Sequence, residues 1–350
     1  MSQKLQTNNL RIVRTRPLLT PALLEEEIPI TDESKHQVQL SRGIVEAIVD
    51  GNDDRMLVIV GPCSVHDPVA AIEYARKLKP LADELSESLF IMMRVYFEKP
   101  RTVMGWKGLI NDPDMDGSYR INAGLRQARQ LLADISEIGL SAGTEFLDTT
   151  FGQFYTDLIS WGAIGARTVE SQIHRELASG LSMPVGFKNG TNGNIQVAVD
   201  AIQAARNRHL FPSLTHEGAP AILETTGNSY GHLVLRGGGK QGTNYDPQSI
   251  ATACDLLNKA GLPEVIMVDC SHGNSRKDPL NQRQVIDSII NQRSAGDHSI
   301  RALMLESNLL EGNQKLNDKP LKYGQSITDA CLGFDDTVDL LRELADGMSA

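Results

Sequence analysis

Short apolar runs alternate with longer amphipathic segments along this chain. Eight of the runs read as strands: MLVIVGPC (56–63), FIMMRVYFEK (90–99), SAGTEF (141–146), AIGART (163–168), PVGFKN (184–189), HLVLRGG (232–238), EVIMVDCSH (264–272) and RALMLESN (301–308). Most are nearly continuous in apolar character rather than alternating. That pattern suits parallel strands covered on both faces. The segments between them read as helices. DPVAAIEYARKLKPLADEL (67–85) opens on Asp-Pro, a start signal, and INAGLRQARQLLADISEIG (121–139) ends on Gly, a common helix stop. Residues 194–207, 247–260, 279–293 and 335–348 have the same character.

Eight strands with helices between them predict an α/β fold, a (β/α)8 TIM barrel, over a span near the usual length of about 250 residues. An open doubly wound sheet is the competitor, and the count of eight favours the barrel. Two segments fall outside a minimal barrel. Residues 1–45 form an N-terminal extension, and 209–231, HLFPSLTHEGAPAILETTGNSYG, read as an inserted β-hairpin before the sixth strand. The whole, 1–350, reads as a single barrel domain. Such additions build oligomer contacts or regulatory sites, or they are decoration.

In such a barrel the chemistry gathers at the C-terminal ends of the strands. Taken in order, the predicted strand ends carry Cys63; Arg94 with Lys99, Arg101 and Thr102; Glu145; Arg167; Lys188; Arg236; Asp269 with His272; and Glu306, with Asp329 following in SITDAC (326–331). Six cations, Arg94, Lys99, Arg101, Arg167, Lys188 and Arg236, thus converge on one mouth. Uncompensated, they would repel one another, so they suit polyanionic ligands such as phosphates and carboxylates. Cys63, His272, Glu306 and Asp329 add a thiol, an imidazole and two carboxylates, a set that suits a catalytic divalent metal. Their spacing is dispersed. On spacing alone, packing and ligand roles stand level, and Cys270 is a rival thiolate.

Composition narrows the partners. The chain has 350 residues, 41% hydrophobic, with a formal net charge of −10. Bulk electrostatics therefore exclude a nucleic-acid binder, and any anionic ligand needs a local basic site. Four scattered cysteines without a CxxC pair give no disulfide framework and point to a reducing cytoplasm. The N-terminus, MSQKLQTNNLRIVRTRPLL, lacks an apolar signal core, and no apolar stretch reaches 18 residues, so no membrane span is expected.

The motifs GPCSVHDP, RVYFEKPRTVMGWKGLINDP, WGAIGARTVESQIHRELASGLSMPVGFKNGT, HLVLRGG, VDCSHGNS, ESNLLEGNQ and YGQSITDAC closely resemble 3-deoxy-D-arabino-heptulosonate 7-phosphate (DAHP) synthases of the class I, feedback-regulated bacterial type. The likeness runs through nearly the whole chain. It implies condensation of phosphoenolpyruvate with erythrose 4-phosphate to give DAHP and phosphate, the first step of the shikimate pathway. It assigns the metal to Cys63, His272, Glu306 and Asp329, with one divalent ion per subunit, Mn²⁺ foremost and Fe²⁺, Co²⁺ or Zn²⁺ as alternatives. It assigns phosphoenolpyruvate to Arg94, Lys99, Ala166, Arg167, Lys188 and Arg236, and erythrose 4-phosphate to Arg101, Thr102 and Asp329. Lys99 is then the expected general acid, with a pKa depressed by its cationic neighbours, and Cys63 is expected to be an accessible low-pKa thiolate.

Two other readings stand beside this one: a Schiff-base aldolase using Lys188 or Lys99, and a non-catalytic phosphometabolite sensor. The resemblance further implies a cytoplasmic homodimer or homotetramer inhibited by an aromatic amino acid. It places the effector among Asn8, Thr149, Gly152, Leu177, Leu181, Ser182, Phe211, Ser213 and Leu223, whose alternative role is ordinary interface packing. Phenylalanine-sensitive relatives tend to carry proline where this chain has Gly152, which favours tryptophan or tyrosine here and leaves the effector open.

Overall fold

A computed structural model describes residues 7–239, 241–318 and 320–349. Residues 1–6 of the N-terminal extension lie outside the described residues, as do Lys240, Lys319 and Ala350. The strands are β1 (Met56–Gly61), β2 (Leu89–Arg94), β3 (Ala142–Glu145), β4 (Ile159–Ile164), β5 (Val185–Lys188), β6 (Leu210–Leu214), β7 (Pro220–Glu224), β8 (Gly231–Leu235), β9 (Ile266–Asp269), β10 (Ile300–Glu306), β11 (Leu310–Asn313) and β12 (Gln325–Ser326). Eight of them close a parallel barrel in the order β1-β10-β9-β8-β5-β4-β3-β2. The helices are α1 (Pro21–Glu27), α2 (Asp32–Asp50), α3 (Pro68–Glu84), α4 (Ile121–Ile138), α5 (Gln172–Gly180), α6 (Gln196–Ala205), α7 (Pro247–Lys259), α8 (Gln282–Ser294) and α9 (Phe334–Ser349).

The expected barrel is therefore present, and most elements fall within a few residues of their predicted bounds. Local signals explain why. The Asp67 side chain accepts from the Val69 and Ala70 amides and so caps α3, and Gly139 (φ 91°) closes α4 in the left-handed conformation.

The fourth strand is a correction. It spans Ile159–Ile164 rather than 163–168, so GART lies beyond its end. Ser160 and Gly162 interrupt the apolar pattern there, and both are buried. The small α5 and the β11–β12 pair are not predicted by the pattern at all. The inserted hairpin is real: β6 and β7 pair antiparallel, with Phe211 opposite Leu223. Asn228 ties its base to the body, donating from Nδ2 to the carbonyls of Leu181 (3.1 Å) and Met183 (2.9 Å).

The barrel interior shows why small residues sit in its strands. Trp161 is fully buried and fills the lumen together with Leu57, Ile59, Met92, Val234, Met267 and Met304. A Cβ at Gly186 would lie 2.6 Å from both the Trp161 ring and a Val234 methyl. Val45, the last residue of the extension, packs into the same cluster with Ile48 and Val49 of α2, so the end of the extension is joined to the core. We expect Gly186→Ala to lower the folding free energy by about 1–3 kcal/mol, the usual cost of overpacking, measurable as a lowered Tm.

His232 is buried in the same layer. Its Nε2 accepts from Trp161 Nε1 at 3.1 Å, which leaves Nδ1–H to donate to the Tyr230 carbonyl at 3.2 Å. Burial pushes its pKa down to about 4. The unfolded chain then binds a proton below about pH 6.5 that the folded chain refuses. Stability is therefore lost as pH falls, by about 2 kcal/mol between pH 7.5 and pH 5. A stability difference between the wild type and His232→Gln that does not shrink over that range would refute this.

Candidate active site at the mouth of the barrel

The mouth is built from residues at or just past the strand ends. Parallel strands expose their last carbonyls and amides there, and the loops that follow can carry charged groups into the lumen. Arg94, the last residue of β2, points into the barrel and is almost fully buried. Its Nη2 lies 3.0 Å from Glu306 Oε1 and 3.1 Å from the Cys63 carbonyl, its Nε donates to the Pro62 carbonyl, and its guanidinium stacks 3.5 Å from the Tyr96 ring centroid. A guanidinium so enclosed is held rigidly, with its charge set against a carboxylate.

The donor atoms of Cys63, Glu306 and Asp329 lie within 4.8 Å of one another. They come from the end of β1, the end of β10 and the loop after β12. Lys99 Nζ sits among them, 2.9 Å from Cys63 Sγ and 2.9 Å from Asp329 Oδ2. This donor set already attracts a cation, and its thiol and two carboxylates suit a divalent metal. His272 is the fourth predicted ligand. Its Nε2 is 3.7 Å from Glu306 Oε1, beside the trio rather than within its 4.8 Å cluster. Its Nδ1 faces the buried Asp269 carboxylate at 3.0 Å, which directs the Nδ1 proton there and leaves the Nε2 lone pair toward Glu306. His272 holds this pose with a left-handed backbone (φ 53°), uncommon outside glycine and found where function demands it.

Cys270 is different. It is fully buried in the layer between the strands and the helices, and its thiol points to the Val268 carbonyl. Adjacent strand residues face opposite sides, so Asp269 looks into the barrel and Cys270 looks out.

The cations divide into two groups, which corrects the picture of six uncompensated charges. Arg94 pairs with Glu306 and Lys99 with Asp329, while Lys188 pairs with Asp269 at 3.2 Å and lies 3.9 Å from Glu145. Arg101, Arg167 and Arg236 make no ion pair among the described residues. They bond only to carbonyls: Arg101 to Trp106 at 2.7 Å, Arg167 to Pro100 at 3.2 Å and Arg236 to Gly237 at 3.3 Å. Three unpaired guanidiniums at one mouth are the groups left to meet an anion. Thr102 is exposed beside Arg101, and Ala166 is half-buried beside Arg167.

The electrostatics overturn two expectations. Burial, joined by the Glu306 charge, pushes the Cys63 thiol up to about 11, and Cys63 is only 1% exposed. Without a metal it is a buried, protonated thiol rather than an accessible thiolate. Lys99 was expected to be a weakened base. Burial does act in that direction, but Cys63, Glu306 and Asp329 outweigh it and hold the ammonium above its ordinary value. Lys188 behaves alike: burial opposes its charge, and Tyr96, Asp269 and Glu145 restore and exceed it.

Tyr96 and Glu98, which the sequence reading does not single out, and Asp269, which it names without a role, belong to this constellation. Tyr96 lies under both Arg94 and, at 5.6 Å, Lys188. Asp269 joins Lys188 to His272. Glu98 is buried, accepts from the Asp148 amide at 3.2 Å, and burial raises its carboxyl to about 8. Arg94, Tyr96 and Glu98 are spaced two apart, a signal available in the sequence.

The predicted effector residues fall on α5, the hairpin, the loop after β3 and the N-terminal arm. Leu177 and Leu181 end α5, which packs beside β6 of the hairpin carrying Phe211 and Ser213, while Leu223 is on β7. Ser182 is exposed beside them and lines a cavity of about 880 Å³ with Arg42, Arg129 and Asp157. Thr149 and Gly152 precede and enter a single turn at Phe151–Phe154, where a Cβ on Gly152 would stand 3.2 Å from the Phe146 ring. Asn8 lies in an exposed arm.

Comparison with known proteins agrees with this architecture. Residues 27–342 match the DAHP synthetase I family. The chain is 54% identical over 346 residues to the Phe-sensitive phospho-2-dehydro-3-deoxyheptonate aldolase of Escherichia coli (strain K12), covering 99% of this chain and 98% of that protein. It is 53% identical over 341 residues to the Trp-sensitive enzyme of the same organism, covering 97% of each. The solved structure of phospho-2-dehydro-3-deoxyheptonate aldolase from Francisella tularensis SCHU S4 superposes with a TM-score of 0.95 at 51% identity, covering 97% of this chain and 98% of that one. From its closed barrel, its charged mouth and a match that spans nearly its full length, this chain belongs to the DAHP synthetase I family.

Proposed function

We propose that this mouth condenses phosphoenolpyruvate with erythrose 4-phosphate and water to give DAHP and phosphate, under feedback inhibition by an aromatic amino acid. The observation that carries the reading is the pairing of three unpaired guanidiniums, Arg101, Arg167 and Arg236, with the Cys63, Glu306 and Asp329 donor cluster. Two phosphorylated substrates need the first, and a divalent ion, Mn²⁺ foremost, needs the second. Such an ion, when bound, supplies a Lewis acid for a carbonyl oxygen or an acidified water.

The chain's own residues do the rest. Arg167, Arg236 and Lys188, with Arg94 beneath and Ala166 alongside, hold the phosphate and carboxylate of phosphoenolpyruvate. Arg101 and Thr102 hold the phosphate of erythrose 4-phosphate. The C3 carbon of phosphoenolpyruvate bonds to the aldehyde carbon, whose oxygen takes up a proton. Water adds at C2, and phosphate departs with its C–O bond broken. Lys99 is protonated at neutral pH and stands 2.9 Å from Cys63 Sγ and 2.9 Å from Asp329 Oδ2, so it can hand over a proton at the donor cluster. Its raised pKa makes it a weaker general acid than the sequence reading predicts.

The Schiff-base reading needs a neutral lysine. Lys188 and Lys99 are both ion-paired and held above their ordinary pKa, which argues against it. The test is incubation with both substrates and Mn²⁺. Equimolar loss of phosphoenolpyruvate and release of phosphate is expected, with no lysine adduct after borohydride. No phosphate release, or a trapped lysine, sinks the reading.

Regulation and assembly follow the same logic. Gly152 stands where phenylalanine-sensitive relatives tend to carry proline, with the Phe146 ring close against it, which favours tryptophan or tyrosine over phenylalanine as inhibitor; an assay with each amino acid decides. The arm with Leu10 (66% exposed), Ile12 (61%) and Val13 (101%) suits contact with another subunit in a homodimer or homotetramer. No described helix is long and apolar enough to cross a membrane, which fits action in the cytoplasm.

A further inference from the structure

Among the described residues the Arg236 guanidinium bonds only to the carbonyl of its own neighbour, Gly237, so its position depends on its backbone. That backbone lies past the end of β8, where the strand ladder has stopped. Three buried asparagines take over. Asn189, directly after Lys188, accepts from the Arg236 amide at 2.8 Å through Oδ1 and donates to the Gly237 carbonyl at 3.0 Å through Nδ2. Asn244 accepts from the Gly237 amide at 2.7 Å and donates to Asn189 Oδ1 at 3.2 Å. Asn274, two residues after His272, accepts from the Asn244 amide at 2.9 Å and donates to the carbonyls of Leu235 (3.1 Å) and Asp269 (3.0 Å). With the Gly273 amide donating to the Arg236 carbonyl at 3.0 Å, every backbone polar group of Arg236 and Gly237 is held.

Only asparagine serves at these positions. Each side chain donates and accepts at once, so aspartate would set a carboxylate oxygen against carbonyls and alanine would leave buried groups unpaired. The backbones close up around the network. A Cβ on Gly237 would stand 2.6 Å from the Gly273 backbone, and one on Gly238 2.4 Å from that of Gly193. The loops after β5, β8 and β9 thus interlock; the first begins directly after Lys188, and the other two carry Arg236 and His272.

We propose that Asn189, Asn244 and Asn274 are positioning residues for phosphoenolpyruvate, joining three loops into one body that sets the Lys188-to-Arg236 spacing. The inference rests on the assignment of those two cations to phosphoenolpyruvate. Arg101 and Thr102 stand on a different loop, outside this body. A misplacement on the order of 1 Å at a charged clamp is worth up to about a hundredfold.

The test is steady-state kinetics of the Mn²⁺-loaded full-length protein. Asn244→Ala is expected to raise the KM for phosphoenolpyruvate about ten- to hundredfold, with the KM for erythrose 4-phosphate changed by less than about threefold. Asn274→Ala, which reaches Arg236 only through Asn244 and Leu235, is expected to act in the same direction with smaller size. It carries the test if Asn244→Ala does not fold, as judged by thermal melting. Equal shifts in both KM values, or no shift, overturn the proposal. Lys188→Ala and Arg236→Ala run in parallel: if these leave the KM for phosphoenolpyruvate unchanged, the underlying assignment falls. If they raise it and the asparagine variants do not, the positioning network alone falls.

Discussion

Cys63→Ser loses its metal and its turnover, by more than about a hundredfold, while Cys270→Ser keeps both. The expectation follows from where the two thiols point. Cys63 Sγ shares Lys99 with Asp329 and belongs to the donor cluster, whereas Cys270 faces the helix layer. A serine hydroxyl does not ionise at working pH and is a poor ligand for the softer divalent ions. The thiol itself must lose a proton on binding. With its metal-free pKa near 11, apparent metal affinity should rise about tenfold per pH unit below that value from this group alone. Elemental analysis of the purified variants, with activity after EDTA and after return of Mn²⁺, decides the matter. A Cys63→Ser protein that keeps metal and rate, or a Cys270→Ser protein that loses them, means the wrong thiol has been chosen.

Arg101→Ala is expected to raise the KM for erythrose 4-phosphate by about 10- to 150-fold and to leave that for phosphoenolpyruvate nearly unchanged. Arg101 is exposed on the loop after β2, with a single bond to the Trp106 carbonyl. Its remaining N–H groups are therefore free for a phosphate, and each charged hydrogen bond is worth about 1.5–3 kcal/mol. Arg94 is the contrasting case. Its charge is already spent on Glu306 in a buried pair, so Arg94→Ala would leave a carboxylate unpaired and damage the fold and the donor cluster together. Measuring both KM values for Arg101→Ala separates the two substrates. Equal changes would undo the assignment.

The barrel was legible in the chain because strands buried on both faces must be apolar along their whole length, and eight such runs stand out. The inserted hairpin was legible from its turn residues. The fourth strand was not, because its small residues, Ser160 and Gly162, dilute the pattern of ISWGAI. The glycines at 143 and 186 acquire their meaning only from Trp161, which reaches across the lumen to them.

The site divides in the same way. Residue type and strand order were enough to name the cations and the four candidate ligands. Spacing in the chain carries no distance between Cys63 and Asp329, which meet only when the barrel closes. Charge pairing was equally hidden. Arg94 pairs with Glu306 and Lys188 with Asp269, while the carboxylates and thiol around Lys99, and the burial of Cys63 beside Glu306, reverse the pKa directions expected for those two groups. Coulomb energies depend on separation and burial, and both are properties of the folded molecule alone.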